Sequence, residues 1–519
     1  MNLDDLWSIP LADDPDGVAL EVAGEAGIEA RWSRRELAAA ADRVAAELAR
    51  RGVGQGDRVA LLLGNSAELV VAFRAVLRLG ATALPLNLAY RAAELGPILA
   101  DAEPRALVVS GERRERLGEV PAGQRASLAA VVGEEEITPL LAPVAGTAAP
   151  APPPGPGAGG DDLALLLYTS GTTGRSKGAM LSHDNLLATV TALLAAWGWR
   201  RDDLLLLALP LFHTHGLVVG LATALAAGAT VRLHRRFAAG RVADELTAAA
   251  RPGAPRPPSV FFGVPTMYVR LVDELERRPA GARGLPGLRL CASGSAPLAA
   301  ETFAAFRRLT GHEVLERYGM TETGMNLSNL YAGPRRPGSV GVPLPGVSVR
   351  VVDEAGDDVA PGEDGELLVA GANVFTGYWR APEKTAAAFL TGADGRRWFR
   401  TGDLARRDPG TGAFTLLGRR TELVLCGGFN VYPREVEAVL EAFPGVREAA
   451  VAGLPDRDRG EVPGAWYVAE PAAPPDEDAL RAHLGERLAP FKVPRLLRRV
   501  EALPRNALGK VQKHLLPRD

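Results

Sequence analysis

Residues Tyr168–Met180 read YTSGTTGRSKGAM, thirteen positions holding three glycines, five serine or threonine hydroxyls and one lysine. This is not a P-loop, which has four residues between its two glycines and Lys-Ser or Lys-Thr after the second. Here two residues separate Gly171 from Gly174, and Lys177 is followed by Gly178. What brackets the loop decides the fold. LALLLY, ending at Tyr168, is an apolar β-run, and SHDNLLATVTALLAAWG has helical spacing with Ser182 as its N-cap. A flexible Gly/Ser linker has no such brackets. Hydroxyls at Thr169, Ser170, Thr172 and Thr173, main-chain N–H groups around Gly171 and the Lys177 ammonium then form an anion cradle suited to a polyphosphate.

The same alternation continues outward. RRELAAAADRVAAELARRG is a helix ending at Gly52, DRVALLLGN a buried strand, and SAELVVAFRAVLRLG another helix. DLLLLALP, ATVRLH, SVFFGV and LRLCASGS add strands, each followed by a polar segment. Strands alternating with helices predict an α/β fold: a large N-terminal domain of doubly wound, mixed or parallel sheets, with chemistry at the strand carboxyl ends. The Pro/Ala/Gly tract Leu141–Gly160 reads as a surface linker. The last hundred residues change character and predict a small, mobile α+β domain. We expect the division at 1–418 and 419–519, with the boundary near Gly418 to Leu423.

Composition narrows the function. The 519 residues carry 59 Lys plus Arg against 62 Asp plus Glu, a net charge of −3 that gives no reason to expect nucleic acid or a membrane surface. The acidic start MNLDDLWSIPLADD lacks the apolar core of a signal peptide. Only Cys291 and Cys426 occur, so a reducing cytoplasm is the expected location. Of the basic residues only five are lysine: Lys177, Lys384, Lys492, Lys510 and Lys513. Where arginine fills the generic roles, a retained lysine marks a place for a compact, titratable ammonium.

Three further segments are weak signals singly. In LERYGMTETG, Glu316 and Glu322 bracket what reads as a Tyr-Gly turn, and Glu322 suits a Mg²⁺ that bridges phosphate oxygens. In WFRTGDLARRD, Asp403 after a Thr-Gly turn suits vicinal ribose hydroxyls. In LPRNALGKVQK, Lys510 follows a glycine. Together and in this order, these segments resemble the adenylate-forming superfamily of acyl-CoA synthetases, adenylation domains and luciferases. YTSGTTGRSKG resembles its phosphate loop and LPLFHTHG its acyl-pocket segment. YGMTET, RTGDL, GRRTELVLCGGFNVYPREVE and PRNALGK resemble its adenine, ribose, hinge and catalytic-lysine motifs.

The resemblance implies a role for each matching position. ATP phosphates would lie on Thr169, Ser170, Gly171, Thr172, Thr173 and Lys177, and Mg²⁺ on Glu322 with Thr172. Tyr318 and Gly319 would hold adenine, Thr321 would lie near the α-phosphate, and Asp403 and Arg419 would hold ribose. Lys510 would sit between the attacking carboxylate and the α-phosphate, offsetting a repulsion that grows toward the transition state. The small domain would then rotate about Glu422, where the family usually has Asp or Lys, and present Gly427, Gly428 and Phe429 to coenzyme A.

The acid is harder to read. LPLFHTHGLVVG, FFGVPTMYVRLVDE, LCASGSAPL and YGMTETGMNLSN look like malonyl-CoA synthetases in particular. A dicarboxylate needs a cation for its second carboxylate, and Arg270, in a helix opened by Pro265, is a candidate through a bidentate guanidinium fork. The alternative is a helical ion pair with Asp273 or Glu274. His213, Ser295 and Met320 are expected to line the acyl pocket and His215 to pack behind it; two histidines at i, i+2 make a poor zinc site. The implied activity is malonate + ATP + CoA to malonyl-CoA, AMP and diphosphate, with methylmalonate as a second acid. A ligase for an aliphatic or aromatic monocarboxylate, or an adenylation enzyme loading a separate carrier protein, remains the alternative. A lysine acetyltransferase and deacetylase acting on Lys510 would be the expected protein partners.

Overall fold

The computed structural model describes residues 1–25, 27–142, 158–169, 177–248, 256–427, 429–471, 473–506 and 509–518. Among these, the strands form a 14-stranded, a 7-stranded and a 5-stranded sheet. In the 7-stranded sheet, strands Arg58–Leu62, Thr82–Pro85 and Ala106–Val109 pair in parallel. Leu163–Thr169 joins them, and Lys177–Ser182 returns antiparallel along it, with Thr169 opposite Lys177. The sequence reading runs from loop straight to helix and misses this returning strand. Its segment, KGAMLS, is too short and too mixed in polarity to declare itself.

Helix His183–Ala196 begins as expected: Ser182 accepts from Asn185 N at 3.2 Å, and the Asn185 side chain accepts from Ser182 N at 2.9 Å. The same amide donates at 2.8 Å to both Ala372 O and Val374 O. One side chain thus caps a helix and anchors a loop nearly two hundred residues away.

The large sheet has two halves. Leu204–Leu207, Thr230–His234, Val260–Gly263, Leu290–Ser293 and Leu315–Met320 pair in parallel. They are nearly continuous apolar runs because helices cover both faces. From Gly324 to Arg419 the strands run antiparallel. Two readings are corrected here. Tyr318 and Gly319 lie within strand Leu315–Met320, and the turn is the 3₁₀ segment Thr321–Thr323 after it. Asp403 lies within the eleven-residue strand Arg397–Arg407, opposite Arg419, and Gly402 takes φ +70° inside that strand. Thr-Gly reads as a turn because the glycine does hold a left-handed conformation; cross-strand pairing keeps the chain extended around it.

The linker tract begins later than read. Leu141 closes helix Glu134–Leu141 and is buried. Most of the tract lies outside the described residues.

The 5-stranded sheet begins at Val424, carries helices Pro433–Glu441 and Glu477–Arg487, and has its own apolar cluster around Val436, Leu440, Val451 and Leu480. Its strand Val446–Asp456 sends Arg447 to Asp273 of helix Pro265–Glu276 at 2.9 Å. Among the described residues no helix is long and apolar enough to cross a membrane.

Replacing Asn185 by alanine removes a cap and two hydrogen bonds to part-buried carbonyls. We expect a loss of about 0.5–1.5 kcal/mol per hydrogen bond, read as a lower thermal midpoint that Asn185→Asp, which keeps the cap alone, restores only in part.

Candidate active site

The carboxyl ends of the parallel strands open on one cleft. A cavity of about 1230 Å³ is lined by Thr169 and Lys177 from the hairpin, His213, Arg270 and Ser295 from segments after the strands, and Lys510 from the C-terminal unit. A second cavity of about 960 Å³ adjoins it, and Ser295, Arg317, Gly319, Arg419, Glu422 and Lys510 line both. The two are halves of one interdomain cleft, and Lys510 stands where they meet.

The half of the cleft around Tyr318 and Asp403, where the sequence leads one to expect the nucleotide, is a braced polar cluster. Tyr318 donates its hydroxyl to Asp403 at 2.5 Å, and Arg419 Nε lies 2.8 Å from the other Asp403 oxygen. Arg419 also donates to Thr401 O at 3.0 Å, and the Thr401 hydroxyl accepts from Asp403 N at 3.0 Å. Burial raises the Asp403 pKa although Arg419 opposes it. Gly319 is required by contact: a Cβ there would meet Gly324 O at 2.1 Å. Glu316, buried and accepting from Gly338 N at 2.8 Å, is pushed up to about 7 by desolvation.

On the phosphate side, Lys177 and Glu322 line the first cavity together with Thr321. Glu322 is 8% exposed, burial raises its pKa, and among the described residues it has no ion-pair partner. A buried carboxylate in that condition fits a divalent cation. Ser170, Gly171, Thr172 and Thr173 lie outside the described residues. Lys510 is seated by a turn: its N–H donates to Asn506 Oδ1 at 3.0 Å, and Gly509, at φ +77°, leaves no more than Cβ clearance beside Thr266. Burial, then the charge of Arg419, lowers the Lys510 pKa.

The acyl half begins where His215–Ala222 forms a π-helix, a form found mostly at functional sites. His213 is desolvated and its pKa falls to about 4. His215 lies 3.3 Å from Ser295 Oγ through Nδ1, and its Nε2 is buried without a partner. Ser295 itself holds φ +71°, a strained conformation for a residue with a side chain. Met320 lines both cavities. Arg270 is exposed on the cavity wall, and among the described residues it makes no ion pair. The helical pairs read as its alternative do not form: Asp273 is taken by Arg447, and Glu274 lies 3.5 Å from both Arg277 and Arg278.

The sequence reading missed Arg317. It is 4% exposed, its Nε and Nη2 are buried without partners, and desolvation lowers its pKa to about 9. A Cβ on Gly294 would fall 2.5 Å from its Cζ, so the guanidinium lies against bare backbone. The available signal was a charged residue in the run VLERYGM, next to Glu316, which reads only as one edge of a turn.

Not every expected residue is in the cleft. Gly427, at φ +59°, and Phe429, exposed and stacked on Phe491 at 4.7 Å, line neither cavity, and Gly428 lies outside the described residues. Glu422 lies 3.2 Å from Lys513, which reaches Glu437 at 2.7 Å.

A half-buried Lys177 beside buried Glu322, the Tyr318–Asp403–Arg419 cluster and a second lysine from a separate C-terminal unit line this one cleft. The family described as AMP-binding enzyme matches residues 11–379, and the AMP-binding enzyme C-terminal domain matches residues 435–510. The chain belongs to this family and is an AMP-forming acyl-CoA ligase. It is 37% identical to the mitochondrial malonate–CoA ligase of Mus musculus, over 88% of this chain and 81% of that one. It is 36% identical to a feruloyl-CoA synthase of an Amycolatopsis species, over 96% and 95%. The crystal structure of ATP-bound MatB from Rhodopseudomonas palustris superposes with a TM-score of 0.88 at 41% identity, covering 99% of this chain and 98% of that one.

Because His213 stays neutral in the free enzyme down to about pH 4, kcat/KM, which reports free-enzyme groups, should show no limb from it between about pH 6 and 8. A limb near the ordinary histidine value that His213→Asn abolishes would contradict this. For stability the sign is set by the depressed pKa: the contribution is complete above the ordinary histidine pKa and is lost as pH falls from there toward about 4.

Proposed function

We propose that the chain makes malonyl-CoA from malonate, ATP and coenzyme A, with methylmalonate as a second acid. Arg317 carries this reading. A guanidinium buried without a counter-ion is very unfavourable, and a carboxylate entering beside it removes most of that cost. Its pKa of about 9 keeps it charged at neutral pH, so the acyl half offers a fixed cation for a second carboxylate. Arg270, exposed at the wall, adds a weaker attraction on the approach. His213 and Ser295 orient the reacting carboxylate, and Met320 closes the pocket.

In the first step a carboxylate oxygen attacks the α-phosphorus of ATP, the bond to the β-phosphate oxygen breaks, and diphosphate leaves. Lys510 stabilises the anionic oxygens that approach each other, while Lys177 and the loop Thr169–Thr173 hold the leaving phosphates. Glu322, with Thr172, would hold a Mg²⁺ ion, which when bound would supply charge neutralisation for the phosphates. Tyr318 and Gly319 flank adenine, Thr321 neighbours the α-phosphate, and Asp403 with Arg419 takes the ribose. In the second step the thiolate of coenzyme A attacks the acyl carbon and AMP leaves. For this we propose two units, 1–418 and 419–519, with the second turning about Glu422 to bring Gly427, Gly428 and Phe429 to the thiol. Two buried, unpaired cysteines support a cytoplasmic site of action.

AMP release is the direct test, with malonate, methylmalonate, oxalate, acetate, butyrate, ferulate and benzoate as acids. Malonate should give the highest kcat/KM. Arg317→Met should lose a hundredfold or more, about 3 kcal/mol for stranding a buried charge, while Arg270→Ala, removing an exposed cation, should lose about fivefold at most. A monocarboxylate that wins, and is unaffected by Arg317→Met, would return the enzyme to the monocarboxylate class. Activity with a carrier protein and none with free coenzyme A would move it to carrier loading.

Lys510→Ala should lower adenylation, followed by malonate-dependent diphosphate release, by at least a hundredfold. Acetylation removes the same charge. A lysine acetyltransferase and deacetylase acting on Lys510 would therefore switch the enzyme, and a site-specifically acetylated protein should match the alanine variant.

A further inference from the structure

Residues Phe375–Trp379 fall outside every segment singled out in the sequence, yet they tie the two phosphate-side groups together. Phe375 N donates to Glu322 O at 2.7 Å, fixing the 3₁₀ turn that carries Glu322. Thr376 N donates to Met180 O at 3.1 Å and Trp379 N to Gly178 O at 2.7 Å, so the segment is also zipped to the strand that starts at Lys177. Between these anchors sits Tyr378. Its ring lies 5.2 Å below the Lys177 ammonium, and its hydroxyl donates to Glu322 Oε1 at 3.1 Å. The ring is held edge-on by Phe375 at 4.9 Å, and its own N–H is taken by Thr385 Oγ1 at 2.9 Å. Trp379 braces the outside by donating to Asp101 O at 3.0 Å.

We propose that Tyr378 is a positioning residue for the nucleotide: ring and hydroxyl together set the separation of Lys177 and Glu322. The ammonium is steadied over the ring face. The hydroxyl occupies one lone pair of the carboxylate and turns the other oxygen toward the cavity, where a cation bridging phosphates would bind. Hydrogen-bond partners of this kind orient a metal-binding carboxylate, and losing one typically costs ten- to a hundredfold in affinity. The inference rests on the assignment of Mg²⁺ to Glu322.

The test is equilibrium binding of a fluorescent ATP analogue to the full-length protein, with Mg²⁺ titrated from an EDTA baseline. Tyr378→Phe keeps the ring and removes the hydroxyl. The Mg²⁺ concentration for half-maximal binding should rise about tenfold, while binding in EDTA and the KM for the acid stay unchanged. Tyr378→Leu should also weaken binding in EDTA, because the support for Lys177 is gone. A Tyr378→Phe curve that overlays the wild type overturns the proposal. Wild-type binding that ignores Mg²⁺ removes the metal assignment itself, and the proposal with it. Phe375→Leu disturbs the same packing but keeps the hydroxyl, so a Mg²⁺ shift there equal to that of Tyr378→Phe also overturns it.

Discussion

A guanidinium held inside the protein without a carboxylate beside it is the constraint on which the rest of this cleft depends. Arg317 is almost fully buried, two of its nitrogens have no partner among the described residues, and desolvation lowers its pKa. An anion placed beside it would offset that cost. A weaker version of the same imbalance recurs at Lys510, lowered by burial and by Arg419. Glu322 and Asp403 show the opposite imbalance, as carboxylates raised by burial. In the proposed reaction the cations would face the acid and the transferring phosphorus, and the carboxylates the nucleotide's metal and sugar. Each imbalance would then be met by a charge or donor that the substrates bring.

Such imbalances persist only if the scaffold over-determines them. Arg317 sits in the middle of a paired strand, with its guanidinium against the backbone at Gly294. Asp403 is fixed by Tyr318, Arg419 and the Thr401 hydroxyl. Ser295 keeps a left-handed backbone beside His215. Ser295 with its left-handed backbone, and His215 and Arg317 with unpartnered buried nitrogens, meet where strand ends from the parallel half join the antiparallel half.

Local signals were legible in the sequence; tertiary pairings were not. The strand at Leu163, the Ser182 cap and Pro265 at the first turn of its helix are short-range events, and the structure has each where the residues put it. Lysine scarcity singled out Lys177 and Lys510, and both line the cleft. Arg317 was missed because a strand's period says which residues share a face, not whether that face meets solvent or a cavity. Tyr378 was missed because its partners lie 56 positions away at Glu322 and across the hairpin at Lys177. Asp403 was found for its chemistry and misplaced in its geometry, since a glycine at positive φ signals a turn more often than a bent strand. Arg270 was set against Asp273 and Glu274 by helical spacing, and both acids proved to have other arginines.

The two units are held together on different terms. Within the larger unit the nucleotide cluster and the Phe375–Trp379 clamp consist of buried, multiply bonded contacts. Across the cleft, the ion pair Arg447–Asp273 is about one-third exposed on both sides, and pairs of that exposure contribute about 1 kcal/mol or less. Gly509 rests on Thr266 by shape alone. Lys510 stands exposed where the two cavities meet; burial and Arg419 lower its pKa, while Glu422 and Asp403 oppose the shift. In the proposed reaction phosphate oxygens would be the partners that accept its charge. Once diphosphate left, an exposed ion pair worth about 1 kcal/mol or less would do little to hold the lysine in the cleft.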